Sequence, residues 1–239
     1  FNLMAVAILF PLEVLFGAIS TPASWLTSGL AGIGGAHLLS PLKIVVKPIA
    51  AFLIGLMSEV GWVVLVVGLL LLFLALRYLV VLLKMLMMGR SEQILHRYLF
   101  GSPRAAMACG LVLTVLVQSS SVTTSVVVPL VAAGILTVRQ IFPYTLGANV
   151  GTTVTALLAA LALAGTGTED ALAGLTVAFT HVLFNVFDIL IIYGIKPMRE
   201  VPIRMAEFMG KLAGINRLYA LLYLVGVFFL LPLLLELLL

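Results

Sequence analysis

Between Arg104 and Arg139 no residue carries a charge, and this 34-residue stretch constrains the fold more than any other part of the chain. A bilayer core about 30 Å thick is crossed by roughly 20 apolar helical residues. Residues 105–138 are therefore too long for one ordinary span. The polar run Gln118-Ser119-Ser120-Ser121 divides them. Arms over 105–117 and 122–136 would each reach only about 20 Å as helices. A re-entrant hairpin fits best, with its polar tip near the bilayer midplane and both ends on one side.

Composition sets the surroundings of that segment. The chain is 63% hydrophobic and 9% charged, with a mean hydropathy of +1.29. A soluble domain of 239 residues needs far more charge to cover its surface, so the class is integral membrane protein. Long aliphatic stretches without period-2 alternation argue for helices rather than an outer-membrane barrel. Residues 60–83, 141–163, 172–195 and 218–237 meet the length of a span, and 3–19 is a slightly short fifth. Between them, 20–59 is rich in Gly, Ser and Pro. Its apolar piece 44–56, beside Lys43 and Lys47, reads as an interfacial helix. The net charge of +4 is no nucleic-acid footprint, because the basic residues fall in short loops. The single cysteine, Cys109, excludes an internal disulfide. The opening residues lack a basic segment and carry Glu13, unlike a cleavable signal peptide. Opening on Phe1, the chain is expected to be a fragment of something larger.

Charge placement gives an orientation. Lys84, Arg90, Arg97 and Arg104 precede the hairpin and Arg139 follows it. Lys196, Arg199, Arg204, Lys211 and Arg217 fill a later loop, whereas 165–170 carries only Glu169 and Asp170. The positive-inside rule puts the basic loops in the cytoplasm and the acidic one outside. A hairpin, not a full crossing, keeps Arg139 on the basic side. Lys43 and Lys47 fall outside in this scheme, a mild violation.

Polar, backbone-rich segments at membrane depth are costly unless they line a cavity or bind something. Gln118 offers an amide, and Ser119, Ser120 and Ser121 each offer a hydroxyl. Val122 onward restarts a helix, so the serines occupy its N-cap region, where backbone N–H groups lack partners and the helix end is partially positive. That suits an oxyanion such as phosphate or sulfate, while the hydroxyl oxygens can also coordinate a hard cation such as Na+. Thr123, Thr124 and Ser125 extend the polar face. A second run, Gly147-Ala148-Asn149-Val150-Gly151-Thr152-Thr153, follows within about 30 residues. Gly147 and Gly151 would let the backbone unwind there, presenting Asn149, Thr152 and Thr153. For any one of these residues, helix packing is the stronger competing explanation. Clustering of the two runs favours a site.

The stretch 115–160, with Gln118-Ser-Ser-Ser121 and Gly147-Ala-Asn-Val-Gly-Thr-Thr153 in that order and spacing, resembles the type II sodium–phosphate cotransporter family. That family carries a Gln-Ser-Ser-Ser signature and a Gly-Ala/Ser-Asn-x-Gly-Thr-Thr/Ser signature in each of two inverted repeats. The resemblance continues through His181, Phe184-Asn185 and the Pro-Leu of the last span. Only one copy of each signature is present. Phe1-Asn2, weakly echoed by Phe184-Asn185, and Pro11-Leu12-Glu13 resemble the tail of the first repeat. The resemblance thus implies the end of a first repeat and a connecting segment over 1–59, and a second repeat over 60–239. The second repeat comprises a helix over 60–83, the hairpin 105–138, a discontinuous helix 141–163, and helices 172–195 and 218–237. The fold class is an all-α inverted-repeat secondary transporter of a bacterial inner (plasma) membrane.

By resemblance, Gln118, Ser119, Ser120 and Ser121 bind phosphate, and Ser120, Ser121, Thr123, Asn149, Thr152 and Thr153 bind sodium. The implied function is sodium-coupled phosphate symport by alternating access, with Na+ as coupling ion and no further cofactor. Half of the site would come from a first repeat on the same or another chain, and membrane lipid and a homo-oligomer are the other expected partners. A passive anion channel and a non-transporting membrane subunit of the same fold are the alternatives. An enzyme is not expected, since no nucleophile–base pair or metal cluster stands out.

His181, Asn185 and Asp188 lie at i, i+4 and i+7 and would share one helix face inside the 172–195 span. Asp188 falls outside the family signature. It suits a coupling-ion or proton role as well as it suits interhelical hydrogen bonding. Glu13 and Glu236 lie near span ends, and Trp25 and Trp62 read as interfacial anchors. His37 and His96 are too isolated to ligate a metal, and the methionines at 85–88 read as packing contacts.

Overall fold

A computed structural model describes residues 1–30, 41–56, 60–86, 100–164 and 168–238. His37, Met87, Met88, Arg90, His96 and Arg97 lie outside these ranges, as do the side chains of Lys43, Lys47, Lys84 and Met85. Every element among the described residues is helical: α1 (Asn2–Phe16), α2 (Ser20–Leu30), α3 (Pro41–Leu56), α4 (Gly61–Leu86), α5 (Pro103–Val117), α6 (Ser120–Ala132), α7 (Val138–Ala164), α8 (Glu169–Asp188), α9 (Lys196–Ile215), α10 (Arg217–Val225) and α11 (Leu231–Leu238). A π turn (Ile189–Tyr193) extends α8, and a second (Gly226–Leu230) joins α10 to α11.

Among the described residues, three stretches are long and apolar enough to cross a membrane: Val138–Ala164, Glu169–Tyr193 and Arg217–Leu234. Their caps explain where two of them start. Thr137 and Gln140 form a reciprocal box at the head of α7, with the Thr137 N–H donating to Gln140 Oε1 at 2.9 Å and the Gln140 N–H to Thr137 Oγ1 at 3.3 Å. Thr168 caps α8 through the Ala171 N–H, and Glu169 and Asp170 in the first turn suit its positive end. The last span buries none of its large side chains among the described residues.

Two expectations need correction. The 3–19 stretch is not one straight span: α1 ends at Gly17 and the chain bends 72° into α2. Gly17 sits in the left-handed region (φ 57°), and its N–H closes the helix on the Glu13 carbonyl at 2.8 Å. Glu13 Oε2 then accepts from the Ile19 N–H at 2.7 Å and the Ser20 N–H at 3.2 Å, satisfying the orphan donors of α2. The start of the expected connecting segment is therefore helix. The basic stretch from Lys196 to Arg217 is not a loop either, but the 20-residue α9.

Three apolar clusters hold the bundle. Ala5, Leu9, Ile19, Phe142, Leu146, Ile192 and Ile203 bring α1, α7, the first π turn and α9 together. Ala23, Ala164, Leu175 and Phe179 join α2 to the far end of α7 and the first half of α8. The third, Phe100, Ala106, Val127, Leu130, Leu136 and Tyr144, matters most for the site. Phe100 precedes α5 and Leu136 follows α6, so the chain enters α5 and leaves α6 beside the same residue, Tyr144. The Phe100 and Tyr144 rings lie 5.6 Å apart.

Candidate functional site

The contact between α5 and α7 sets where the polar run lies along α7. On α5, Ala106, Gly110 and Thr114 recur every fourth residue and are buried. On α7, Gly147 and Gly151 have the same spacing. A Cβ at Gly110 would collide with the Tyr144 carbonyl, and one at Gly147 with the Met107 carbonyl. At Gly151 it would come within 2.7 Å of Thr114 Cβ. Small residues four apart let two helix backbones touch. Contacts advance together along both helices (Met107 with Gly147, Thr114 with Gly151), so α5 and α7 run parallel.

This corrects the expected discontinuous helix. Residues 138–164 form one unbroken helix, and the backbone does not unwind at Gly147 or Gly151. Both glycines serve the alternative, close packing, because the space a side chain would need is filled by α5.

The break occurs instead at Gln118 and Ser119. Gln118 is in the left-handed region (φ 54°, ψ 33°), the sole non-glycine among the described residues with positive φ. Such a conformation is uncommon without glycine and carries local strain. Its N–H donates to the Thr114 carbonyl at 2.7 Å, ending α5. Ser119 is extended, and its Oγ accepts from the Val122 N–H at 3.3 Å as the N-cap of α6. Thr114, one turn before the break, lies against Gly151, the central residue of α7 (138–164). Thr123, one turn after it, has its carbonyl bonded by the Tyr144 hydroxyl at 2.9 Å. Thr114 thus sets the end of α5 beside the middle of α7, while Thr123 on α6 is tied to Tyr144 in the first third of that helix.

Hydroxyl groups around the break fall into two chemical kinds. Thr123, Thr124 and Ser125 donate to the Ser119, Ser120 and Val122 carbonyls at 2.8, 2.7 and 2.8 Å. On α7, Thr152, Thr153 and Thr155 donate to the Ala148, Val150 and Thr152 carbonyls at 3.1, 2.8 and 2.7 Å. A hydroxyl with its proton committed to the backbone presents only lone pairs, which suit a cation. The Gln118 amide and the Ser120 and Ser121 hydroxyls have no hydrogen-bond partner among the described residues and keep their donors free. Gln118 and Ser120 are half-buried and Ser121 is exposed. Thr123 and Thr153 are buried, at 3% and 0% exposure, while Thr124 and Thr152 are half-buried.

Asn149 links three helices. Its Nδ2 donates to Asn2 Oδ1 at 3.0 Å, and its carbonyl accepts from Asn185 Nδ2 at 3.4 Å. Two of the expected polar face residues, Asn185 and Asp188, are buried at 3% and 1% exposure. His181 does not join them: it is exposed. Asp188 Oδ1 and Thr114 Oγ1 are buried polar atoms without a hydrogen-bond partner among the described residues. Tyr144 and Thr114 were not among the expected site residues. Tyr144 lies within the same apolar run as the signature, and only its hydroxyl marks it as a residue needing a partner.

The Na+/Pi-cotransporter family matches residues 70–195, more than half of the chain. The chain belongs to the Na+/Pi-cotransporter family. It is similar to sodium-dependent phosphate transport protein 2B of Homo sapiens, with 44% identity over 128 residues, 54% of this chain and 18% of that protein. It is likewise 44% identical to protein 2A of Oryctolagus cuniculus over 127 residues, 53% of this chain and 19% of that protein, and 43% identical to protein 2A of Rattus norvegicus over the same shares. The chain spans less than a fifth of the length of these curated relatives. No solved structure matches. The family is one of membrane transporters rather than enzymes.

Proposed function

We propose that this chain supplies one half of the binding site of a sodium-coupled symporter for inorganic phosphate in the bacterial plasma membrane, working by alternating access. The observation that carries the reading is the Gln118–Ser119 break, held at the middle of α7 with free donors on Gln118, Ser120 and Ser121. Here α5 and α6 form a re-entrant hairpin of an inverted-repeat fold in which residues 60–239 are the second repeat. The relatives named as sodium-dependent phosphate transport proteins supply the ligand pair.

In this reading phosphate takes the free donors of Gln118, Ser120 and Ser121 at the positive end of α6. Ser119 acts through its cap. Sodium takes oxygens whose protons are already committed, as on the half-buried Thr124 and Thr152, together with the Asn149 side-chain oxygen. Thr123 and Thr153 are buried and shape the cage. Na+ binding first lowers the repulsion felt by a phosphate dianion entering an uncharged site. Asp188, a buried carboxylate with an unpartnered oxygen, lies on the ion's route. The glycine contacts join α5 to α7 and the Tyr144–Thr123 bond joins α6 to α7, so these three helices move together in the rocking step. The other half of the site comes from a first repeat on the same chain or on a second copy.

The test is radiolabelled phosphate uptake into proteoliposomes by the full-length protein that includes this segment. Uptake that saturates and requires a Na+ gradient is expected. A Na+-independent current of high unitary rate would make it an anion channel. Absence of phosphate binding with or without Na+ would make it a non-transporting subunit.

A further inference from the structure

Beyond Met198, which packs against the cluster around Phe142 and Ile192, the apolar stripe of α9 joins no apolar cluster among the described residues. Met198, Val201, Met205, Phe208, Leu212 and Ile215 recur at alternating spacings of three and four, which places them on one side of the helix. Val201, Met205, Phe208 and Ile215 are exposed, at 43%, 60%, 56% and 77%. A different side anchors the helix. Ile203 is buried in the apolar cluster with Phe142 and Ile192, Glu200 pairs with Arg139 at 2.6 Å, and the Arg199 guanidinium sits 5.0 Å over the Tyr193 ring.

Those anchors fix where α9 lies. Arg139 is at the start of the Val138–Ala164 span, Tyr193 at the end of the Glu169–Tyr193 span, and Arg217 begins the next. Three spans thus end at the level of α9, and both of its ends continue into membrane-crossing helix. Arg204 and Lys211 border the exposed stripe, and neither forms an ion pair among the described residues. A helix with this pattern lies in an anionic membrane interface.

We propose that α9 lies in the cytoplasmic membrane–water interface, with Val201, Met205, Phe208 and Ile215 among the acyl chains and Arg204 and Lys211 on anionic lipid headgroups. The bound chemistry is a lipid surface, and the helix fixes the vertical position of α7 and α8 through Ile203 and Glu200. In an otherwise cysteine-free background, with Cys109→Ser, single cysteines at Met205, Phe208 and Glu207 of the full chain carry a spin label in phosphatidylcholine vesicles with and without phosphatidylglycerol. Labels at 205 and 208 should be several-fold more accessible to oxygen, relative to a water-soluble nickel chelate, than the label at 207. The 208 label should sit deeper when phosphatidylglycerol is present, and Arg204→Gln/Lys211→Gln should abolish that difference. Equal ratios at all three positions overturn the proposal. So does low accessibility to both reagents at 205 and 208, which would mean a protein partner, and so does a depth indifferent to lipid charge in the parent.

Discussion

Thr114 on α5 lies against Gly151, the central residue of α7, so closely that a Cβ on the glycine would approach Thr114 Cβ to 2.7 Å. One turn later α5 stops at Gln118. The position of the polar break along α7 is therefore set by a glycine contact and not by the polar residues themselves.

That contact predicts unequal tolerance among helical glycines. Gly147→Ala would push a methyl into the Met107 carbonyl, where backbone must yield, and should cost about 1–3 kcal/mol. Gly174→Ala on α8 meets open space and should be neutral or stabilising by roughly 0.5–1 kcal/mol. Thermal unfolding in detergent compares the two. Equal effects would contradict the packing.

The two kinds of hydroxyl predict separable phenotypes. Ser120→Ala removes a free donor and should raise the half-saturating phosphate concentration by about tenfold, the worth of one hydrogen bond, with little change for Na+. Thr152→Val removes an oxygen with its proton committed and should weaken Na+ activation instead. Uptake titrated in phosphate at fixed Na+, then in Na+ at fixed phosphate, checks the split. Shifts of both ligands in both variants would argue against it.

Asp188 is buried and Oδ1 lacks a hydrogen-bond partner among the described residues. Asp188→Asn keeps the shape and removes a buried ionisable group, so it should raise thermal stability by about 1 kcal/mol in the absence of Na+. The same variant should lose Na+ activation of uptake. Unaltered Na+ activation would remove Asp188 from the ion's route.

On the α9 side, the Arg139 guanidinium bonds both oxygens of Glu200 at 2.6 Å and holds that carboxyl below its usual range. A depressed folded-state pKa stabilises above the unfolded pKa, and the contribution disappears as pH falls through the folded value. Glu200→Gln should therefore lower Tm at neutral pH, and the difference from the parent should vanish in acid. Both partners are exposed enough for salt to shrink it. A Tm difference independent of pH would point to packing, not charge.

Residues 141–163, 172–195 and 218–237 were legible as spans because uninterrupted hydropathy is a property of the segment alone. The bend at Gly17 was not, since apolar residues continue through it and the turn depends on Glu13 reaching forward to the N–H groups of Ile19 and Ser20. Gln118–Ser119 was legible as a break because polar groups at depth need a cause. Gly147 and Gly151 admitted two causes, flexibility or contact, and only the facing helix decides between them. The stripe of α9 was hidden by its charges, although Met198, Val201, Met205 and Phe208 already carry a helical period.

The central claim is that the Gln118–Ser121 break binds phosphate. Ser121 is exposed at that break, so Ser121→Cys in an otherwise cysteine-free background, with Cys109→Ser, offers a thiol at the site of the full-length transporter. Its modification rate by a methanethiosulfonate reagent should fall several-fold when phosphate and Na+ are added together, and less with either alone. A rate unchanged by phosphate, with Na+ present and uptake otherwise intact, would contradict the account.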